Sequence, residues 1–177
     1  GRMGNALVHS SSWFEGPFGR GFDGDGFDAV LLAVPDAQIA AAAAVVRPGR
    51  LVGHCSGACG LDLLGNREGF GLHPLMTVTR GGASFVGAGA AVAGTSARAL
   101  AYAHQLAEHL GMRAYEIRDV DRTAYHAAAS IASNSRTSES RSAVTKRPWR
   151  SPGTISSSSR HVDGSSAPSS FFTFPSQ

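Results

Sequence analysis

Three polar residues recur at helical spacing near residue 130. His126, Ser130 and Asn134 are each four positions apart, which places them on one face of a helix. A reaction that transfers a proton needs a donor near the reacting atom, and histidine suits that role near neutral pH. The spacing therefore makes His126 a candidate proton donor, with Ser130 and Asn134 as candidate site residues beside it. Packing of His126 between helix and sheet is an equally good interpretation.

Two further polar candidates follow predicted strand ends. His73 stands directly before Pro74, where it could orient a ligand, although a structural role is somewhat better favoured for a lone loop histidine. Ser56 lies in a loop of small residues and lacks the G-x-S-x-G pattern of a hydrolase nucleophile. A hydrogen bond from Ser56 to a ribose or a substrate explains this residue better than nucleophilic attack.

The two cysteines do not indicate a disulfide scaffold in a chain of 177 residues. Cys55 and Cys59 could be combined with His54 and His73 as zinc ligands, but the adjacent His54 and Cys55 would point in opposite directions on a strand. We therefore expect no metal and a reducing, cytoplasmic setting. No stretch approaches the roughly 20 apolar residues of a membrane span, so no membrane partner is expected.

The run Ala29–Val34 is the element expected to organise these residues. It is short and continuously apolar, the pattern of a strand buried on both faces of a parallel sheet. Pro35 ends the strand, and Asp36 is expected to cap an alanine-rich helix over 37–46. Ligands of open α/β sheets bind at the carboxyl ends of the strands, so Val34, Pro35 and Asp36 should lie on the binding edge. An ordinary buried strand with a proline turn is the alternative.

Strands and helices are expected to alternate from residue 1 to residue 118, which predicts an α/β domain. Further strands are expected at 50–54, 70–73, 87–94 and 113–117, and helices at 61–64, 97–110 and 122–133. Residues 5–26 should hold a helix and a strand but show them poorly, and 16–21 are expected to be a loop.

The first residues, Gly1-Arg2-Met3-Gly4, are similar to the second half of the dinucleotide fingerprint G-x-G-x-x-G. They would approach the pyrophosphate of NADP or NAD, unless the glycines only form a flexible end. Arg20 lies in the loop after the expected second strand, where an arginine suits the 2′-phosphate of NADP. A solvated surface arginine is an equally good interpretation.

The chain changes character at about Asn134. Residues 135–177 hold 14 serines and four of the eight prolines, a composition that cannot bury enough apolar surface to order the chain, so this tail is expected to be disordered. Six of the 16 basic and two of the 13 acidic residues lie in the tail. Residues 1–134 therefore carry ten basic and eleven acidic residues, which gives no argument for nucleic-acid binding. A reading-frame shift or a regulatory tail could explain the junction.

Four ordered motifs between residues 27 and 134 resemble one family. They are Val30-Leu-Leu-Ala-Val-Pro-Asp36, Gly53-His-Cys-Ser-Gly-Ala58, Leu72-His-Pro-Leu-Met-Thr77 and the stretch 121–134. The chain resembles bacterial Rossmann-like proteins with a C-terminal helical domain of unknown function, relatives of pyrroline-5-carboxylate reductase, prephenate dehydrogenase and 6-phosphogluconate dehydrogenase-like proteins.

The resemblance implies a Rossmann-like parallel sheet over 1–118, the first helix of a helical domain over 119–134, and NAD(P)-dependent hydride transfer with a small carbonyl, imine or hydroxy substrate. It also implies homodimers formed through the helical domain. Relative to the family, the first strand and the first fingerprint glycine are missing, which should leave an unpaired gap in the sheet. A non-catalytic nucleotide-binding or scaffold protein, or a non-functional gene fragment, are the alternatives.

Overall fold

The structure is a computed structural model that describes residues 1–79 and 82–131, together with the backbone of 170–174. Asn134 and the predicted tail other than 170–174 lie outside the described residues. Within the described ranges, no helix has both the length and the apolar character needed to cross a membrane.

Helices and strands alternate as the sequence predicts. The elements are α1 (Arg2–Ser10), β1 (Glu15–Phe18), β2 (Ala29–Ala33), α2 (Ile39–Val45), β3 (Leu51–His54), β4 (Gly69–Pro74), β5 (Gly89–Gly94), α3 (Ala97–His109), β6 (Arg113–Glu116), α4 (122–131) and β7 (Ser170–Phe174). Short 3₁₀ helices lie at Asp36–Gln38, Leu61–Leu64 and Asp119–Asp121.

All seven strands of the described residues join one sheet in the order β1-β7-β2-β3-β4-β5-β6. β2, β3 and β4 are mutually parallel, and β5 and β6 run in the opposite direction to them. β7 is antiparallel to both β1 and β2, so β1 and β2 run in the same direction. The carboxyl ends of β1 to β4 therefore meet at one edge of the sheet.

The gap expected beside β2 is filled, which corrects two expectations. Ser170–Phe174 form β7 between β1 and β2, with Ala33 opposite Ser170 and Ala29 opposite Phe174. Disorder was expected for all of 135–177, but this short apolar segment is rich in phenylalanine and has a high strand propensity. Its pairing satisfies the backbone groups that β2 would otherwise leave unpaired.

The core lies on both faces of the sheet, and β2 contributes to both. Leu31 packs into the cluster shared with α1 and α3, whereas Val30 and Leu32 pack into the cluster shared with α2. Alternate residues of a strand point to opposite faces, which explains why this strand has no polar side. Burying each such aliphatic side chain contributes about 1.5–3 kcal/mol.

Local details differ from the sequence expectations in two places. Asp36 does not cap a helix: it is the first residue of a 3₁₀ turn, and no side-chain cap bond is formed there or at the start of α2. Gly16–Phe18, expected as part of a loop, belong to β1 because β7 provides a pairing partner. At the start of α3 the sequence offers Thr95 or Ser96 as a cap, and Ser96 is the one that caps the helix, by accepting a hydrogen bond from the Ala99 amide at 3.1 Å.

Candidate functional site

The loop after β3 is held by a buried histidine. The Ser56 amide donates to Nδ1 of His54 at 3.2 Å, so Nδ1 is an acceptor and the proton is on Nε2, 3.2 Å from the Gly60 carbonyl oxygen. Burial lowers the pKa of His54, which is fully buried. His54 is therefore a neutral structural residue that fixes the path of 55–60.

Ser56 itself shapes this loop. Its Oγ accepts hydrogen bonds from the amides of Ala58 at 3.2 Å and Cys59 at 3.0 Å. These bonds stabilise a serine turn and leave the hydroxyl proton of Ser56 able to donate to a ligand. Cys55 and Cys59 are free thiols. Across the described ranges, no three His, Cys, Asp or Glu side chains are placed to hold a metal ion together.

The loop also packs against the side chain of His73, which lies near the end of β4. A Cβ built on Gly57 would stand 2.5 Å from Cε1 of the His73 ring, so the glycine lets the imidazole lie against the backbone. On its other side, Nδ1 of His73 is 2.7 Å from the hydroxyl of Tyr125, and the two rings meet edge to face. Tyr125 was not among the residues predicted from the sequence.

His73 and Tyr125 are both neutral at physiological pH. Burial, reinforced by His126, Arg122 and His54, lowers the pKa of His73 to about 4, against an opposing effect of Asp36. Burial raises the pKa of Tyr125 to about 12. The pair is therefore a hydrogen bond between a neutral imidazole and a neutral phenol.

An ion pair between the buried Arg122 and the half-exposed Asp119 anchors the start of α4. Arg122 has only 6% of its side chain exposed, and its Nη2 and Nε lie 2.9 and 3.1 Å from Oδ1 of Asp119. A Cβ built on Gly71 would be 3.9 Å from Nη2, so the guanidinium reaches over β4. Arg122, Tyr125 and Ala129 are the more buried positions of α4, and this helical face fixes how α4 crosses the sheet edge.

A cavity of about 380 Å³ lies beside His73. Three of the sequence-predicted polar residues, His73, His126 and Ser130, share its wall. The remaining lining residues are apolar or small: Pro74, Leu75, Met76 and Ala129. The structure thus brings His73 and His126 to one cavity, whereas Ser56 is not among the residues that line it and Asn134 lies outside the described residues.

Among the residues predicted to bind a cofactor, Arg20 and Val34–Asp36 follow β1 and β2 at the same sheet edge, and none of the predicted cofactor residues lines the cavity. Val34, Pro35 and Asp36 follow β2, and Pro35 and Asp36 are exposed. Arg20 is exposed two residues after β1. Gly1 precedes α1, whose first turn includes Arg2, Met3 and the buried Gly4 and has no side-chain cap.

A larger concavity of about 750 Å³ lies on the α2 side of the sheet and contains none of these residues. Two of its charged side chains, Arg67 and Glu68, already have partners. Arg67 donates to the carbonyl oxygens of Arg47 and Ala44, and Glu68 accepts from Ser96 and Arg98. The smaller cavity is the better candidate because its histidines converge at the carboxyl ends of strands.

The fold matches those of other solved structures. A candidate NADP oxidoreductase of Bacteroides fragilis superimposes with a TM-score of 0.56 at 17% identity, covering 66% of this chain and 48% of the other. A protein of Thermotoga maritima superimposes with a TM-score of 0.53 at 23% identity, covering 63% and 46%. The chain therefore has a Rossmann-like fold and spans about half the length of these proteins.

At the sequence level, residues 89–144 match the domain of unknown function DUF2520. The match begins at β5 and includes α3, β6 and α4, so it contains Tyr125 and His126 but neither Ser56 nor His73. Among proteins of curated function, no sequence matches significantly.

Proposed function

We propose that this chain is the nucleotide-binding part of an NAD(P)-linked oxidoreductase that acts on a small carbonyl, imine or hydroxy compound. The observation that carries the proposal is the convergence of His73, His126 and Ser130 on one cavity at the carboxyl edge of a Rossmann-like sheet. This edge is where open α/β sheets bind their ligands. A cavity of about 380 Å³ suits a small substrate and the reacting end of a cofactor.

The cofactor would lie along the residues that the sequence predicts for it. The first turn of α1 has no side-chain cap, and the amides of Arg2, Met3 and Gly4 have no acceptor within the helix, so they can donate to a phosphate. Arg20 is at the end of β1, where its guanidinium can pair with the 2′-phosphate of NADP. The exposed turn at Pro35–Asp36 would border the cofactor between these groups and the cavity.

The bound nicotinamide would supply or accept the hydride, and the chain would orient the substrate and handle the proton. Ser56 and Ser130 have hydroxyls able to hydrogen-bond a substrate, and His126 is exposed on the cavity wall, where it can exchange protons with solvent. His73 is half-buried and fixed from two sides. The reacting atoms are therefore expected nearest His73, with His126 on the solvent side.

Titration of the full chain with NADPH, followed by cofactor fluorescence, tests nucleotide binding. Arg20→Glu should weaken NADPH binding by tenfold or more, about 1.4 kcal/mol, and change NADH binding little, because only NADPH has the 2′-phosphate. Arg118→Glu, which alters an exposed arginine far along the chain, is the matched control. No binding of either nucleotide would reject the proposal, and turnover with 2-keto acids and imines would then separate enzyme from binding protein.

One observation favours a second candidate, a nucleotide-binding or scaffold protein without catalysis. β7 lies beside β2 but runs antiparallel to it, and it follows β6 in the chain order. It therefore does not lead into the glycine turn at Gly1–Gly4, as the first strand of a dinucleotide-binding fold does. Binding of NADPH without turnover of any substrate would support this candidate. Binding of no nucleotide would leave the non-functional fragment.

The dimeric state implied by the resemblance stays a proposal. Val120 and Ile131 are 82% and 68% exposed at the two ends of the segment that includes α4, a pattern compatible with a further covering element. Sedimentation of the full chain, with a monomeric mass as the contradicting result, tests it.

A further inference from the structure

We propose that Tyr125 is a positioning residue that holds His73 as its neutral Nε2–H tautomer, which gives the cavity an uncharged N–H donor suited to a carbonyl or alcohol oxygen. The assignment of the substrate rests on the proposed function, whereas the assignment of the His73 tautomer rests on the geometry of the two side chains. Neither residue's role follows from sequence spacing, since 52 positions separate them.

The first step is the direction of the hydrogen bond. Nδ1 of His73 and the hydroxyl oxygen of Tyr125 are 2.7 Å apart, so one of the two atoms must donate to the other. A phenol is a stronger donor than acceptor, and the unprotonated imidazole nitrogen is a strong acceptor. Tyr125 therefore donates to Nδ1, and the single proton of the neutral ring stays on Nε2.

The second step is that the ring stays neutral. Burial is the main cause that lowers the pKa of His73, and the cationic Arg122 together with His54 and His126 acts in the same direction. Asp36 is the acidic group that opposes them. Protonation would also require Nδ1 to donate, which would break the bond that Tyr125 makes to it.

The third step is what Nε2 faces. His73 lies on the wall of the cavity with His126 and Ser130, while the Gly57 backbone covers one face of the ring. Within the described residues, no hydrogen bond to Nε2 of His73 is formed, whereas Nε2 of His54 is bonded to Gly60. The N–H group of His73 is thus the one that a ligand in the cavity can use.

An uncharged N–H donor discriminates between substrates. When a carbonyl carbon receives hydride, the C–O π electron pair moves to oxygen, and a fixed donor stabilises the charge that develops there. The oxygen then takes the Nε2 proton, Nδ1 takes the phenolic proton of Tyr125, and solvent returns a proton to the tyrosine. An imine is reduced as its protonated form, which has no lone pair for an N–H donor and is repelled by it. The geometry thus favours a carbonyl or alcohol over an imine.

The test begins with the tautomer, read from the ¹⁵N resonances of the histidine side chains in the full-length chain at pH 7. His73→Gln identifies the signals of His73. The wild type should show a protonated Nε2 and an unprotonated Nδ1. Tyr125→Phe should give a mixture of tautomers and raise the pKa of His73 by about 1, the value of one lost hydrogen bond to the neutral form. Tyr115→Phe, at an exposed position of β6, should change neither.

Three outcomes decide the inference. A protonated Nδ1 in the wild type, or a tautomer unaffected by Tyr125→Phe, overturns it even if NADPH binds. The expected tautomer without NADPH binding retains the positioning role of Tyr125 and rejects the proposed function. If NADPH binds, Tyr125→Phe should lower kcat for a ketone substrate at least tenfold with little change in KM, and a larger loss for imines than for ketones would overturn the substrate assignment.

Discussion

Gly57 and His73 are in direct contact, with the imidazole ring lying where a side chain at position 57 would be. A Cβ on residue 57 would stand 2.5 Å from Cε1, 2.7 Å from Nδ1 and 2.8 Å from Nε2 of His73. All three distances are too short for real atoms, so the loop after β3 and the end of β4 can form this site only with glycine at position 57.

Gly57→Ala should therefore displace His73 and break its bond to Tyr125. We expect a loss of about 1–3 kcal/mol in the free energy of unfolding, the usual cost of overpacking. Urea denaturation measures this loss, and the His73 resonances report the displaced ring. Gly19→Ala is the control, because a Cβ there would meet nothing within 4 Å. Equal stability of the two variants would contradict the described contact.

The ion pair between Arg122 and Asp119 is expected to stabilise the fold more than the ion pair between Arg118 and Asp121. Asp119→Ala would leave the buried guanidinium without a carboxylate, which should cost about 1–2 kcal/mol because Asp119 itself is half exposed. Asp121→Ala removes the partner of Arg118, which is 79% exposed, and should leave the unfolding midpoint unchanged. Thermal unfolding of both variants compares the two pairs, and equal shifts would argue against the burial of Arg122.

Acid should destabilise the fold because His73 is harder to protonate in the folded chain than in the unfolded chain. The pKa of His73 is lowered to about 4 in the folded chain, whereas an unfolded histidine has its ordinary value of about 6.5. Between these values the unfolded chain binds the proton and the folded chain does not, so stability rises with pH across this window and is level above it. The full difference corresponds to about 3 kcal/mol, and His54 acts in the same direction.

The variant His73→Gln should make the free energy of unfolding depend less steeply on pH within this window. Urea denaturation from pH 4 to pH 7 measures the slope, and His104→Gln, which alters a more exposed histidine on α3, serves as the control. Hydrogen bonds lower the pKa values of the Asp23 and Glu68 carboxylates, and both groups contribute equally to the wild type and to the two variants. A wild-type stability that does not change between pH 4 and pH 7 would exclude a neutral buried His73.

The parts of the fold that the sequence predicts are those governed by local patterns. The continuous apolar run at Ala29–Ala33 gives a strand that is buried on both faces, and Ser96 gives a helix cap. Parallel strands end at one edge of the sheet, which is why the His73 ring and the loop that contains Ser56 can be expected near each other. Their catalytic roles remain predictions.

The missed features depend on contacts between distant segments. Tyr125 precedes His126 on α4 and lies about 100° around the helix from it. The hydrogen bond from Tyr125 to His73 therefore depends on how α4 crosses the sheet edge, which spacing along the chain does not show. One signal was present: Arg122, Tyr125 and Ala129 recur at helical spacing and mark the face that packs on the sheet. The pairing of β7 with β2 has no local signal in the sequence, because the paired residues Ala33 and Ser170 are about 140 positions apart.

β7 is expected to hold β1 and β2 together, since it is the strand that lies between them. Thr173 is opposite Val30 on one side and Glu15 on the other. Thr173→Pro removes a backbone donor from a strand that is paired on both sides, and proline is confined to edges for this reason. The variant should lower the free energy that protects the amides of Ala29–Ala33 and Glu15–Phe18 from hydrogen exchange by at least about 1 kcal/mol.

Thr173→Val is the matched control, because valine keeps the backbone donor and the β-branched shape. It should leave hydrogen exchange in β1 and β2 unchanged. β3 and β4 pair on the far side of β2, so their amides should keep most of their protection in both variants. If proline at position 173 leaves the exchange of β2 as slow as valine does, β7 does not pair with β2 in solution, and the position beside β2 would then be open to another strand.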